Sequence, residues 1–191
     1  EIQYRILGKT GIKLPVVSMG VMNANNPNLV KGAWETGIRH FDTAWYYQNG
    51  NNEKMVGSVL QELKVKREDV TIATKVGLWG VDISKGRERK DNFLKRFDES
   101  LSRLKMDYAD ILYYHAVTDI GQTNDPFIIE AYNELKEKKK APMPEIPECR
   151  VQKYPHITND GKMRRQDTTL YSHSTAIVQQ EALFKEYKAN E

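Results

Sequence analysis

The sequence contains one cysteine, Cys149, among its 191 residues, which excludes an intramolecular disulfide and any cluster of thiolates for zinc or iron–sulfur chemistry. Redox chemistry in this chain would need a diffusible cofactor. No apolar run approaches the roughly 20 residues needed to cross a bilayer, and the amino terminus lacks the basic-then-apolar pattern of a secretory signal. No membrane partner is expected. Net charge is scarce as well, since 29 basic against 26 acidic residues leave only +3, too little and too evenly spread for a nucleic-acid surface. Lys138, Lys139 and Lys140 end a helical pattern, where cations suit the negative end of the dipole. There is no G-x-G-x-x-G fingerprint, no internal repeat beyond a βα period, and no low-complexity tract apart from a short proline-rich joint. His156, His173 and Cys149 have neither the spacing nor the context of a metal site, and no metal is expected. The chain opens at Glu1 without a methionine. The expected compartment is the cytoplasm, with a removed leader left open.

What is present is an ordinary globular composition, 39% hydrophobic and 29% charged, enough for one sizeable core. Tyr4 to Leu7 and Ile12 to Leu14 flank Gly8-Lys9-Thr10-Gly11 and predict a small hairpin placed to plug or precede the main fold. Val16 to Met19 reads as a buried strand stopped by Gly20, and Leu29 to Thr36 as a helix with Gly37 at its C′ position. A second strand covers Arg39 to Thr43. Glu53, Val56, Gly57, Leu60 and Leu63 recur at helical spacing. Val70 to Thr74 is β-branched and apolar, a third strand, and Phe93, Phe97, Leu101 and Leu104 predict a helix from Asp91 to Leu104. Tyr108 to Tyr114 gives a fourth strand, followed by a helix through Ile128, Ile129, Tyr132 and Leu135 with Asp125 as N-cap and Pro126 at N1.

Four β-then-α units in succession predict a parallel sheet. After Lys140 the character changes. Three prolines fall between Pro142 and Pro147, which neither helix nor central strand accepts. Residues 148 to 173 are polar, with a turn at Asn159-Asp160-Gly161, and Ser174 to Asn190 reads as an amphipathic terminal helix. The expected division is therefore 1–140 and 141–191.

In a parallel βα architecture the carboxyl ends of the strands are where sites are built, and four chemistry-bearing side chains lie there: Asp42, Tyr47, Lys75 and His115. Singly, each has a plain reading. Asp42 could cap a helix approach or pair with Arg39, Lys75 could be a solvated lysine at a strand exit, His115 a satisfied buried histidine, and Tyr46 and Tyr47 packing residues. Their joint order, within Asp42-Thr-Ala-Trp-Tyr-Tyr47, Ala-Thr-Lys75-Val and Asp110-Ile-Leu-Tyr-Tyr-His115, resembles the aldo-keto reductase family, as does Gly37-Ile-Arg-His-Phe-Asp-Thr-Ala44. The resemblance covers about residues 4 to 140.

That resemblance implies an α/β fold, a parallel (β/α) barrel of the TIM type, of which the first four βα units are recognisable behind an N-terminal β-hairpin. It implies NADPH-dependent reduction of an aldehyde or ketone, a small-molecule carbonyl substrate, and Tyr47 as proton donor. A tyrosine is a poor acid at neutral pH, and a neighbouring ammonium favours its phenolate, the service expected of Lys75. Asp42 would hold Lys75 charged and oriented, and His115 would steer the carbonyl. By the same match Gly20, Val21 and Met22, with Asp42, are the expected cofactor neighbours. Trp45, Tyr46, Trp79 and Tyr114 are candidates for an apolar pocket. A competing reading makes the chain a catalytically inactive, truncated relative that serves as an assembly or interaction module, self-associating through the open edges of its sheet.

Overall fold

A computed structural model describes residues 2–7, 10–82, 84–116, 122 and 124–138, together with the backbone of 155–157 and 163–165. Strands β1 (Tyr4–Ile6) and β2 (Lys13–Pro15) pair antiparallel, with Arg5 opposite Leu14. The remaining order alternates: β3 (Met19–Gly20), α1 (Pro27–Glu35), β4 (His40–Asp42), α2 (Asn51–Glu62), β5 (Thr71–Val76), α3 (Gly86–Leu104), β6 (Ile111–Tyr114) and α4 (Pro126–Glu137). The strands β3 to β6 lie in chain order, every neighbouring pair parallel. The chain therefore forms four βα units of a TIM-type barrel behind an N-terminal hairpin.

The alternation of side chains along these strands sorts the core into two faces. Phe41 and Ile72 pack with Val30, Val56, Val59 and Leu60 under α1 and α2. Val76, Leu112 and Tyr114 pack with Phe93, Phe97, Ile128 and Leu135 under α3 and α4. On the other face Ala73, Ile111 and Tyr113 meet Leu7, Ile12 and Leu14, so the hairpin stops the base of the curved sheet. Phe41, Phe93 and Phe97 are fully buried, and truncating such a ring to alanine costs about 3–5 kcal/mol. Helices α2 and α3 approach closely because Gly57 has no side chain. A Cβ there would strike the Leu104 carbonyl.

Local signals account for the helix ends. Asn26 caps α1 by accepting from the Asn28 amide at 2.9 Å, with Pro27 opening the helix, and Asp125 caps α4 by accepting from the Phe127 amide at 2.9 Å, ahead of Pro126. Both arrangements satisfy amide donors that have no partner inside the helix. Gly37 follows α1, as the sequence predicts.

Several boundaries differ from expectation, each for a physical reason. Val16 and Val17 are exposed, not buried in a first strand. The Val16 amide donates to the Gln3 carbonyl at 2.9 Å, so this pair prolongs the hairpin, and β3 is reduced to Met19–Gly20. Helix α3 begins at Gly86, five residues before the expected Asp91; its first turn, Gly-Arg-Glu-Arg-Lys, carries no apolar signal and is held by Arg89 to Asp125 and by Lys90 to Glu130. Strand β5 runs on to Val76, which places Lys75 inside the strand. Strand β6 starts only at Ile111, just after Asp110, which donates its amide to the Ile72 carbonyl at 3.0 Å while its carboxylate accepts from the Ile72 amide at 2.7 Å. The ladder of β4 covers His40–Asp42, within the expected 39–43, and α2 runs from Asn51 to Glu62.

Beyond α4, Pro155–Ile157 and Met163–Arg165 pair antiparallel. The expected turn at 159–161, the proline-rich joint and the terminal helix at 174–190 lie outside the described residues. Among the described residues no helix is long and apolar enough to cross a membrane.

Candidate active site

At the carboxyl ends of β4 and β5 the register sets Asp42 opposite Ala73, and Lys75 two residues further along the same face. That face is the inward one, so both side chains rise toward the rim. The chain leaving β4 keeps to β5: Thr43 donates its amide to the Ala73 carbonyl and Trp45 to the Lys75 carbonyl, both at 2.9 Å. Only then does it turn at Tyr47.

Lys75 is buried, and its ammonium donates to three acceptors: the Asp42 carboxylate, the Thr43 carbonyl at 2.7 Å and the Tyr47 hydroxyl oxygen at 3.3 Å. An ammonium has three donors and no acceptor. Every one is committed. Because the Tyr47 oxygen accepts from Lys75, its own proton is directed elsewhere, and Tyr47 is only half-buried.

His115 follows β6 directly, its amide donating to the Val76 carbonyl at 2.8 Å. Its ring stands edge-on to Tyr47, 5.7 Å between centroids, and edge-on to Trp79 at 4.9 Å. Burial, reinforced by the Lys75 charge and opposed by Asp42, lowers its pKa to about 4. The imidazole is thus neutral at neutral pH and can meet a polar group without adding a charge. Tyr46 and Trp79, 5.3 Å apart and both exposed, extend an aromatic wall from the same rim. Tyr114 and Trp45 take other places. Tyr114 packs beneath α3 against Phe93, and Trp45 turns toward α3, where Glu99 accepts from its indole nitrogen at 2.8 Å.

Of the expected cofactor neighbours, Gly20 pairs with Asp42 in register, is exposed, and has open space where a side chain would be. Met22 is exposed too. Val21 is fully buried, its amide donating to Asp42 and its carbonyl accepting from Asn52 at 2.6 Å. It shapes the rim from below and presents no group to it. The bare Gly20 surface beside Asp42 leaves room for the flat ring of a nicotinamide.

The sequence reading missed the polar groups that hold this loop. Asn52 bridges the Thr43 hydroxyl, at 2.7 Å, and the Val21 and Ala24 carbonyls. Gln48 donates to the Met22 and Ala24 carbonyls at 3.2 and 3.1 Å. Glu53, fully buried, accepts from the Thr74 hydroxyl at 2.6 Å and pairs with Arg103 at 3.3 Å. Burial outweighs these partners and holds its carboxyl above the usual range. The available signal was a charged residue among Val56, Gly57 and Leu60 on the apolar face of a helix, since a lone buried carboxylate demands partners.

Comparison with known proteins places the fold in a family. The family model described as "Aldo/keto reductase family" matches residues 19–141. L-galactose dehydrogenase of Arabidopsis thaliana is 39% identical over 129 residues, 61% of this chain and 39% of that protein. A probable voltage-gated potassium channel subunit beta of the same plant is 37% identical over 135 residues, 64% of this chain and 40% of that protein. An aldo-keto reductase from Bacillus halodurans, solved in its holo form, superposes with a TM-score of 0.61 at 29% identity, over 74% of this chain and 48% of that one. The four βα units are those of a (β/α) barrel fold. The chain belongs to the aldo/keto reductase family. It spans about two-fifths of the length of the curated relatives named here.

Proposed function

We propose that this rim reduces an aldehyde or ketone to an alcohol, with NADPH as hydride donor and Tyr47 as proton donor. The observation that carries the reading is the Tyr47 oxygen held 3.3 Å from a buried ammonium whose other donors are fixed by Asp42 and the Thr43 carbonyl. The reduced nicotinamide, when bound, supplies the hydride to the carbonyl carbon. The carbonyl oxygen then carries a growing negative charge and takes the Tyr47 proton. The tyrosinate left behind faces the Lys75 ammonium, which offsets its charge until water restores the proton. Asp42 keeps the ammonium in place, and the neutral His115 lies beside the phenol to orient the incoming oxygen. Gly20 and Met22 would lie against the reacting end of the cofactor. The choice of NADPH over NADH rests on family resemblance.

The competing reading, an assembly module without catalysis, has support in the sheet edges at β3 and β6 and in a relative named as a channel subunit. The intact Lys75 network favours the catalytic one, since a purely structural lysine has no need of a phenol half open to solvent. The test is consumption of NADPH with a panel of aldehydes and ketones, comparing the wild type with Lys75→Met. Turnover in the wild type that collapses in the variant is the expected result. Equal rates in both would overturn the reading.

A further inference from the structure

The turn that carries Tyr47 is held in place by its neighbours. Gln48 and Asn49 have φ of 51° and 55°, and Gly50 follows at 82°, so successive residues occupy the left-handed region. For the two that bear a Cβ, this region is sterically disfavoured. Such a conformation persists only where its surroundings over-determine it. On one side Gln48 and Asn52 tie it to the carbonyls beyond β3. On the other side the ties come from α3: Glu99 accepts from the Trp45 indole at 2.8 Å, and one further residue takes the backbone.

That residue is Arg103. Its guanidinium donates to the Trp45 carbonyl at 2.8 Å and pairs with buried Glu53 at 3.3 Å. It also lies so close against Gly50 that a Cβ there would collide with it. The guanidinium thus contacts the chain on both sides of Tyr47, at Trp45 and at Gly50, and it is anchored by a carboxylate that cannot leave the interior. Nothing else in the reaction calls for it: the contacts named here are to the turn and its supports, away from the phenol itself.

We propose that Arg103 is a positioning residue for the reduction, fixing the Tyr47 turn so that the phenol stays at Lys75. The proposal rests on the reading of Tyr47 as proton donor. Reaction geometry is sensitive enough for this to matter, since a misplacement of about 1 Å can cost about a hundredfold in rate.

The test uses Arg103→Lys in the full chain, which keeps a cation for Glu53 but loses the planar fork. A second variant, Arg103→Met combined with Glu53→Gln, removes the buried charges together, in case the first fails to fold. Arg67→Lys serves as a structural control, because Arg67 pairs with Asp110 at 2.5 Å at the opposite end of the sheet. Both Arg103 variants should lose about ten- to a hundredfold in kcat with KM unchanged, whereas the Arg67 variant should lose thermal stability alone. In a Tyr47→Phe background the Arg103 change should cost nothing further. With tyrosine rings labelled with carbon-13, the Tyr47 signals, assigned by their loss in Tyr47→Phe, should shift in both Arg103 variants as the ring moves relative to His115. Unmoved Tyr47 signals, or a rate loss that recurs in full in the Tyr47→Phe background, would overturn the proposal. If the wild type reduces no carbonyl, the functional reading fails, and the Tyr47 signals alone still decide whether Arg103 sets the turn.

Discussion

Tyr47 and Lys75 are 28 positions apart in the chain, yet the phenolic oxygen lies 3.3 Å from the ammonium. The distance is set by backbone, because the segment leaving β4 hydrogen-bonds along β5 as far as the lysine's own carbonyl before it turns. The phenol is thereby placed by the same strand that presents the ammonium.

Tyr47→Phe should lower carbonyl reduction by at least about a hundredfold, the scale for loss of a general acid. Stability should barely change, because the ring remains and water can take the third ammonium donor at a half-buried position. Initial rates beside thermal melts provide the check. Unchanged turnover would place the proton source elsewhere.

His115 and His40 make the fold sensitive to mild acid. Burial lowers both, to about 4 for His115; for His40, Asp42 and Asp110 oppose the shift and Lys75 adds to it. Between the folded value of about 4 and the ordinary 6.5, the unfolded chain binds more protons than the folded one, so stability falls as pH drops through that window. Melting temperatures should therefore decline from pH 7 toward pH 5, and His115→Gln should flatten part of the decline. A profile identical to wild type in the variant would assign the effect to other groups.

Gly57→Ala should destabilise by about 1–3 kcal/mol, the usual cost of forcing extra volume into a packed contact, because the new methyl meets the Leu104 backbone carbonyl. A neutral or stabilising result in denaturant titration would mean that α2 and α3 can move apart freely.

Asp125 both caps α4 and pairs with Arg89. Replacement by alanine should cost more than the roughly 1 kcal/mol of a lost cap, since the carboxylate beside Arg89 disappears too. Asp125→Asn keeps a capping oxygen and should cost less. Equal losses from both substitutions would deny the cap a share.

The parts of this architecture written locally are the parts the sequence reveals. Gly37 and the Asp125-Pro126 pair mark helix ends through their own backbone chemistry, and Val70 to Thr74 marks a strand through its β-branched, apolar run. Asp42 and Lys75 stand out through their joint order with Tyr47 and His115 at successive strand ends. What stays hidden depends on distance or on silence. Glu53 and Arg103 are 50 positions apart, and no spacing rule joins them. The first turn of α3 is charged throughout, so no periodicity announces it. Val16 and Val17 are apolar without being core, since hydrophobic residues need not be interior, and their place on the hairpin follows from the Gln3 carbonyl.

The carboxylate, the ammonium and the phenol all belong to β4, β5 and the segment that joins them. Their mutual geometry is therefore set by this strand pair and by the α3 residue that braces the turn, ahead of whatever is attached beyond β6. Later loops can lengthen, shrink or change composition while the phenol keeps its place at the ammonium. In the function proposed above, holding these three groups within one βαβ unit lets selectivity drift without putting proton delivery at risk.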